Sequence, residues 1–215
     1  MVRKLPSVQE LQSAIRANDL DRVRHLLGAG ADPGKPDVNG EDALVYAIRR
    51  GAKMAVLRVL AASGADPRRL NKGGQSPLMI ASQQGRVRAV TVLSMLQVPL
   101  NHANRSFETA LTYAVTWRRT RVVKKLLALG ASPDNPPSPA WSPLMYAAQV
   151  DNVRLSKLLV AAGATLERTD EGGRTAAVIA RSRGHEALAR MLSPRTKWRD
   201  VRTRHLRHRP STRTR

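Results

Sequence analysis

Residues 74–90 read GQSPLMIASQQGRVRAV, and residues 140–156 read AWSPLMYAAQVDNVRLS, the same Ser-Pro-Leu-Met at the same relative place. The likeness extends along the chain. Leu11, Leu44, Leu78, Leu111 and Leu144 lie 33, 34, 33 and 33 residues apart. Each is followed three residues on by an alanine (Ala14, Ala47, Ala81, Ala114, Ala147), and a sixth copy keeps Ala180 with Ala177 in the leucine place. A second landmark closes the units: GAGADP, SGADP, LGASP and AGATL, around Gly30, Gly64, Gly130 and Gly163. A fixed period of this length is the signature of an array in which each unit buries the apolar face of the next.

Each landmark has a mechanical reason. Ser76-Pro77 and Ser142-Pro143 offer a hydroxyl for an N-cap and a proline for the first helical position, where the missing N–H has no intrahelical partner in any case. The Leu and Ala that follow share one helical stripe, and alanine lets a neighbouring helix approach closely. A second helix carries Val123, Leu126 and Leu127 and is ended by the backbone freedom of Gly130.

These residues resemble the ankyrin repeat, with its Gly-x-Thr-Pro-Leu-His-x-Ala-Ala, Gly-His, Leu-Leu and closing Gly-Ala. GGQSPLMIASQQG and AWSPLMYAAQV carry the first part, with Ser for Thr and Met for His; GGRTAAVIARSRGH carries the Gly-His; VVKKLLALGAS and RVRHLLGAGADP carry the end. The resemblance implies an all-α solenoid of helix-turn-helix units joined by short finger turns. It divides the chain into a repeat domain at 1–192, with units at about 7–36, 37–70, 71–103, 104–136, 137–169 and 170–192, and a tail at 193–215. The first unit opens instead with a capping box of Ser7 and Glu10, as suits an end unit. The second has one extra residue, in VLAASGAD, so its helix end is expected to be distorted. The third has Gln97 and Val98 in place of Gly-Ala, and the fourth has Phe107 and Arg118 at two glycine places, so the local geometry there is expected to depart from the pattern.

Aromatic residues make up only 3% of the chain, so the core is built from Ala, Leu, Val, Ile and Met. No run approaches the roughly 18 apolar residues of a membrane span, and the period begins within the first dozen residues, leaving no room for a cleavable leader. The expected location is cytoplasmic or nuclear. With no cysteine, disulfides, thiolate metal sites and a Cys nucleophile are excluded together. His25, His102, His185, His205 and His208 show no metal-ligand spacing, the Gly73-Gly74 pair reads as a turn tip, and the few carboxylates form no acid–base pair. The chain therefore reads as a non-enzyme with no cofactor, metal or small-molecule substrate.

The resemblance implies partner binding on a concave face made of finger tips and first-helix ends. Carried over residue by residue, that face comprises Arg49, Arg50, Lys72, Gln83, Gln84, Arg105, Trp117, Trp141, Gln149 and Arg174, with Ser138 and Pro139 on the fifth finger. Trp117 and Trp141 are the candidate anchors, tryptophan being enriched among binding hot spots; packing on each other or on the proline-rich finger is the structural alternative.

The balance of 37 Lys and Arg against 16 Asp and Glu gives a net charge of +21, which favours acidic partners. Arg88, Arg121 and Arg154 hold one repeat position in three consecutive units, and Lys124 and Lys157 hold another, so stacking aligns them into columns. The tail sets nine Arg and Lys against Asp200 alone, and contributes Arg195, Lys197, Arg199, Arg202, Arg204, Arg207 and Arg209 to the polyanion-binding set. The main reading is a protein–protein interaction scaffold whose tail holds an acidic protein surface. The alternatives are a ribonucleoprotein component, with RNA as the polyanion, and an adaptor on acidic cytoskeletal or membrane surfaces.

Overall fold

The computed structural model describes residues 5–136 and 140–193. They form six helix pairs: α1 (Val8–Ala17) with α2 (Leu20–Gly28), α3 (Ala43–Arg50) with α4 (Met54–Ala62), α5 (Pro77–Gln83) with α6 (Val87–Met95), α7 (Ala110–Thr116) with α8 (Thr120–Ala128), α9 (Pro143–Gln149) with α10 (Val153–Ala161), and α11 (Ala176–Ser182) with α12 (Glu186–Leu192). The odd-numbered helices stack into an inner row and the even-numbered ones into an outer row. Extended pairing among the described residues is confined to two isolated bridges in fingers, Ala103 with Thr109 and Thr169 with Thr175. The fold is thus an all-α repeat solenoid. Among the described residues no helix is long and apolar enough to cross a membrane.

The periodic residues are the core. Leu11, Leu44, Leu78, Leu111 and Leu144 are buried, and the six alanines of the period, Ala14, Ala47, Ala81, Ala114, Ala147 and Ala180, are at most 1% exposed. Their small size lets the inner helices approach closely, and neighbouring inner helices touch more extensively than neighbouring outer ones. Each inner helix starts on a side-chain oxygen: Ser7, Asp42, Ser76, Thr109, Ser142 and Thr175 accept from the backbone N–H three residues on.

The outer helices are entered differently. Asp19 and Asn152 cap α2 and α10 with their side chains, but Lys53, Arg86, Arg119 and His185 give α4, α6, α8 and α12 no such bond. Three of these residues reach back to the preceding unit. Arg86 donates to the Arg49 carbonyl at 2.8 Å, Arg119 to the Gln83 carbonyl at 2.9 Å, and His185 Nε2 lies 3.3 Å from the Gln149 carbonyl. Each satisfies an orphan acceptor at the negative end of an inner helix. The guanidinium of Arg86 lies over Gly51 and the side chain of Arg119 over Gly85, so a Cβ at either glycine would stand 2.8 Å or 3.1 Å from it. Where the equivalent turn residue is Arg118, the next unit supplies the short Asn152; where it is Asp151, the next supplies His185, whose Nδ1 is 4.0 Å from the carboxylate.

Two expectations are corrected. The end of α4 is regular: Ser63, Gly64 and Ala65 donate to Val59, Ala61 and Leu60, the pattern that Leu129, Gly130 and Ala131 make to Lys125, Leu127 and Leu126. The extra residue sits instead between α3 and α4, where Lys53 follows Ala52, and its N–H is satisfied by Asn18 Oδ1 of the first unit at 2.8 Å. The glycine-less places also keep the repeat geometry. Gln97, Phe107 and Arg118 adopt φ of 54°, 59° and 53°, the left-handed region their glycine counterparts occupy, at a cost of roughly 1–2 kcal/mol each.

Candidate functional site

The concave side is built on four fingers of one design. Asp37 Oδ1 accepts from the N–H groups of Asn39 and Glu41, Asn71 Oδ1 from Gly73 and Gln75, Asn104 Oδ1 from Ser106 and Glu108, and Asp170 Oδ1 from Gly172 and Arg174. A single Asp or Asn oxygen thus replaces two missing backbone acceptors and fixes the tip. Side chains then tie fingers to inner helices, and one inner helix to the next: Gln12 donates to Asp37 at 2.8 Å, and Gln75 and Asn104 to the Tyr113 hydroxyl at 2.8 and 3.3 Å, while Arg16 of α1 donates to the Tyr46 hydroxyl of α3 at 3.0 Å. Burial, with Glu108 adding to it, pushes the Tyr113 and Tyr146 hydroxyls up from their ordinary pKa.

On this scaffold the sequence-predicted residues separate by availability. Lys72 and Arg105 are exposed on finger tips, and Arg50 is exposed with its guanidinium 5.2 Å from the Tyr46 ring. Gln84 is half-buried and lines, with Arg49, Arg50 and Tyr46, a cleft of about 200 Å³. Gln83 and Gln149 are half-buried at the inner-helix ends, their carbonyls taken by Arg119 and His185. Arg49 is held by Glu41, and Arg174 pairs with Asp170 at 2.8 Å. Ser138 and Pro139 lie outside the described residues.

The two tryptophans differ. Trp117 caps α7 and is 49% exposed. Trp141 is half-buried, its ring 5.3 Å from that of Tyr146 and 6.0 Å below the Arg174 guanidinium. Phe107, noted in the sequence only as an irregular residue, is 61% exposed on the fourth finger and opens with Trp141, Tyr146 and Arg174 into a cleft of about 410 Å³. Its left-handed φ turns the side chain of a would-be glycine outward; no periodicity signals that.

On the opposite side, Arg88, Arg121 and Arg154 are the second residues of α6, α8 and α10, and Lys124 and Lys157 the fifth residues of α8 and α10; all five are exposed. Counting from each helix start extends the second column to Arg24, Arg58 and Arg190, with Thr91 the one neutral member. Arg24 and Arg190 stand 13 residues after Leu11 and Ala177, as Lys124 and Lys157 do after Leu111 and Leu144, so the period marks them in the sequence as well; Arg58 is one residue further on, displaced by the extra residue of its unit. Arg88 and Arg121 line, with Arg86, a cleft of about 270 Å³. The tail residues from Arg195 to Arg209 lie outside the described residues, as do His205 and His208.

The family model for ankyrin repeats, in three copies, matches residues 11–104 and 122–201. Among curated proteins, similar stretches occur in glycerophosphocholine phosphodiesterase gde1 of Schizosaccharomyces pombe (39% identical over 93 residues, 43% of this chain and 8% of that one). They occur also in ankyrin repeat and KH domain-containing protein mask-1 of Caenorhabditis elegans (40% over 86 residues, 39% and 3%), and in ankyrin repeat, SAM and basic leucine zipper domain-containing protein 1 of Oryctolagus cuniculus (42% over 67 residues, 31% and 13%). The chain thus spans a small fraction of the length of each relative it matches.

Proposed function

Because the chain belongs to the ankyrin-repeat family, whose arrays are protein–protein interaction modules, we propose that it is a non-catalytic scaffold: a repeat domain at 1–192 takes a protein partner on the concave face, and the basic segment 193–215 holds an acidic surface. One observation carries this reading. All six aromatic residues among the described ones, Tyr46, Phe107, Tyr113, Trp117, Trp141 and Tyr146, stand on fingers, inner helices or an inner-helix cap, and none stands on an outer helix. Aromatic side chains supply much of the energy of protein interfaces, and exposed Phe107 and Trp117 have no role in this core. The phosphodiesterase activity in the name of the yeast relative is not carried over, since the likeness covers 8% of that protein.

The test is photo-crosslinking in cells from position 105 on the concave side and position 157 on the convex side. A single protein band crosslinked from 105 is expected to disappear in a Phe107→Ala, Trp117→Ala double variant, whose affinity for the identified protein falls by about 2 kcal/mol per anchor with the melting temperature unchanged. Crosslinks from 157 alone would reject the concave reading.

A second reading, a component of a ribonucleoprotein complex, is favoured by a different observation. Helices α4, α6, α8 and α10 contain no acidic residue. The polyanion-binding set proposed there is Arg88, Arg121, Lys124, Arg154 and Lys157, together with Arg195, Lys197, Arg199, Arg202, Arg204, Arg207 and Arg209 of the tail.

A further inference from the structure

Acidic residues on the outer row occur only at its two ends, Asp21 in α2 and Glu186 in α12. Asp21 pairs with Arg24 at 3.5 Å, and Glu186 lies 4.0 Å from Arg181. The third, fourth and fifth outer helices are the reverse: Arg88 on α6, Arg121 and Lys124 on α8, Arg154 and Lys157 on α10 are exposed and make no ion pair among the described residues. Stacked helices lie about 8–10 Å apart, so these like charges repel one another and destabilise the array slightly. Two files of exposed, unpaired cations have no structural use that opposite charges would not serve better.

From this placement we propose that the convex face is a track for the phosphate backbone of a nucleic-acid duplex, an inference that rests on the polyanion reading above. Two features select a duplex from other polyanions. First, the outer helices have no aromatic residue, whereas proteins that hold single strands stack bases on aromatic rings. Second, Arg88 and Arg121 flank, with Arg86, the cleft of about 270 Å³, a recess lined by arginines of two successive units and by no carboxylate. Such a face contacts phosphates and reads no base edge, so it is indifferent to sequence.

The experiment measures affinity against salt for the full chain, with a 24-base-pair RNA duplex, its single strand, and vesicles containing anionic lipid as probes. Two variants are compared with the natural chain. In one, Arg88, Arg121, Arg154, Lys124 and Lys157 are changed to Gln; in the other, the seven basic residues from Arg195 to Arg209 are. The first is expected to lose about 100-fold in duplex affinity at moderate salt and to flatten the slope of log affinity against log salt by about 4, near 0.9 per lost phosphate contact. An Arg88→Lys, Arg121→Lys, Arg154→Lys variant keeps the charges and is expected to bind as the natural chain does. If the five-fold variant binds the duplex normally while the tail variant does not, the track is rejected and the polyanion reading survives in the tail alone. If the natural chain binds neither nucleic acid, both are rejected. Tighter binding of the single strand or the vesicles through the same five residues also overturns the assignment.

Discussion

The four finger oxygens perform one task with two chemistries. Asn71 and Asn104 do it without charge, whereas Asp37 and Asp170 do it as carboxylates. Burial pushes both carboxyls up, and their hydrogen bonds outweigh it: Glu41, Gln12 and Asn39 for Asp37, and Arg174 and Gly172 for Asp170, leaving both below the ordinary aspartate pKa. A depressed folded pKa contributes stability that is complete above the unfolded value and lost as pH falls through the folded one. Acid below the usual aspartate range is therefore expected to open the second and sixth fingers first. Amide exchange would register it as falling protection at Asn39, Glu41, Gly172 and Arg174 while Gly73, Gln75, Ser106 and Glu108 keep theirs, and Asp37→Asn is expected to remove the effect from its finger. Asp42 has the opposite sign: burial outweighs the bond from the Val45 N–H and raises it, so its contribution falls as pH rises through its folded value. The finger residues repeat with the same period as the leucines, yet their role was not legible, because Asp and Asn in a polar turn look like any other loop residues.

At the scale of the helix, the inner row was legible almost residue by residue, since Ser-Pro, Leu and Ala each have one mechanical use. The seams between units were not. The bonds from Arg86 and Arg119 span 37 and 36 residues, and a period marks which positions recur without marking which of them reach across. Arg86→Ala is expected to leave the Arg49 carbonyl without its charged donor and cost about 1–2 kcal/mol in thermal or denaturant unfolding. Gly51→Ala combines a left-handed backbone at φ 72° with a Cβ 2.8 Å from that guanidinium. It is expected to destabilise by a similar amount. In the double variant the clash disappears with the guanidinium, so the two losses add to less than their sum. A fully additive result would mean that Arg86 does not lie over Gly51 in solution.

Across the described residues the two long faces differ in their side chains: the aromatic rings stand on the concave side, and the aligned columns of cations on the other. That division was half legible. The columns follow from the period, whereas the availability of Trp117 against the half-buried setting of Trp141 depends on Tyr146 and Arg174, which no spacing connects to it. The seams have a consequence for the array as a string of units. Each junction is a matched couple of turn residue and following cap: Gly51 with Arg86, Gly85 with Arg119, Arg118 with Asn152, Asp151 with His185. The units are therefore not interchangeable beads. The third carries both halves of a fitting couple, Gly85 and Arg86, and can follow itself; the fourth carries Arg118 and Arg119, and a second copy would press a long cation onto a turn that has no room for it. A tandem copy of residues 71–103 is expected to extend the array with its cooperative melt preserved, and one of 104–136 to split it into two transitions. The order of the repeats is thus written at their joints, and the chain can lengthen at some joints only.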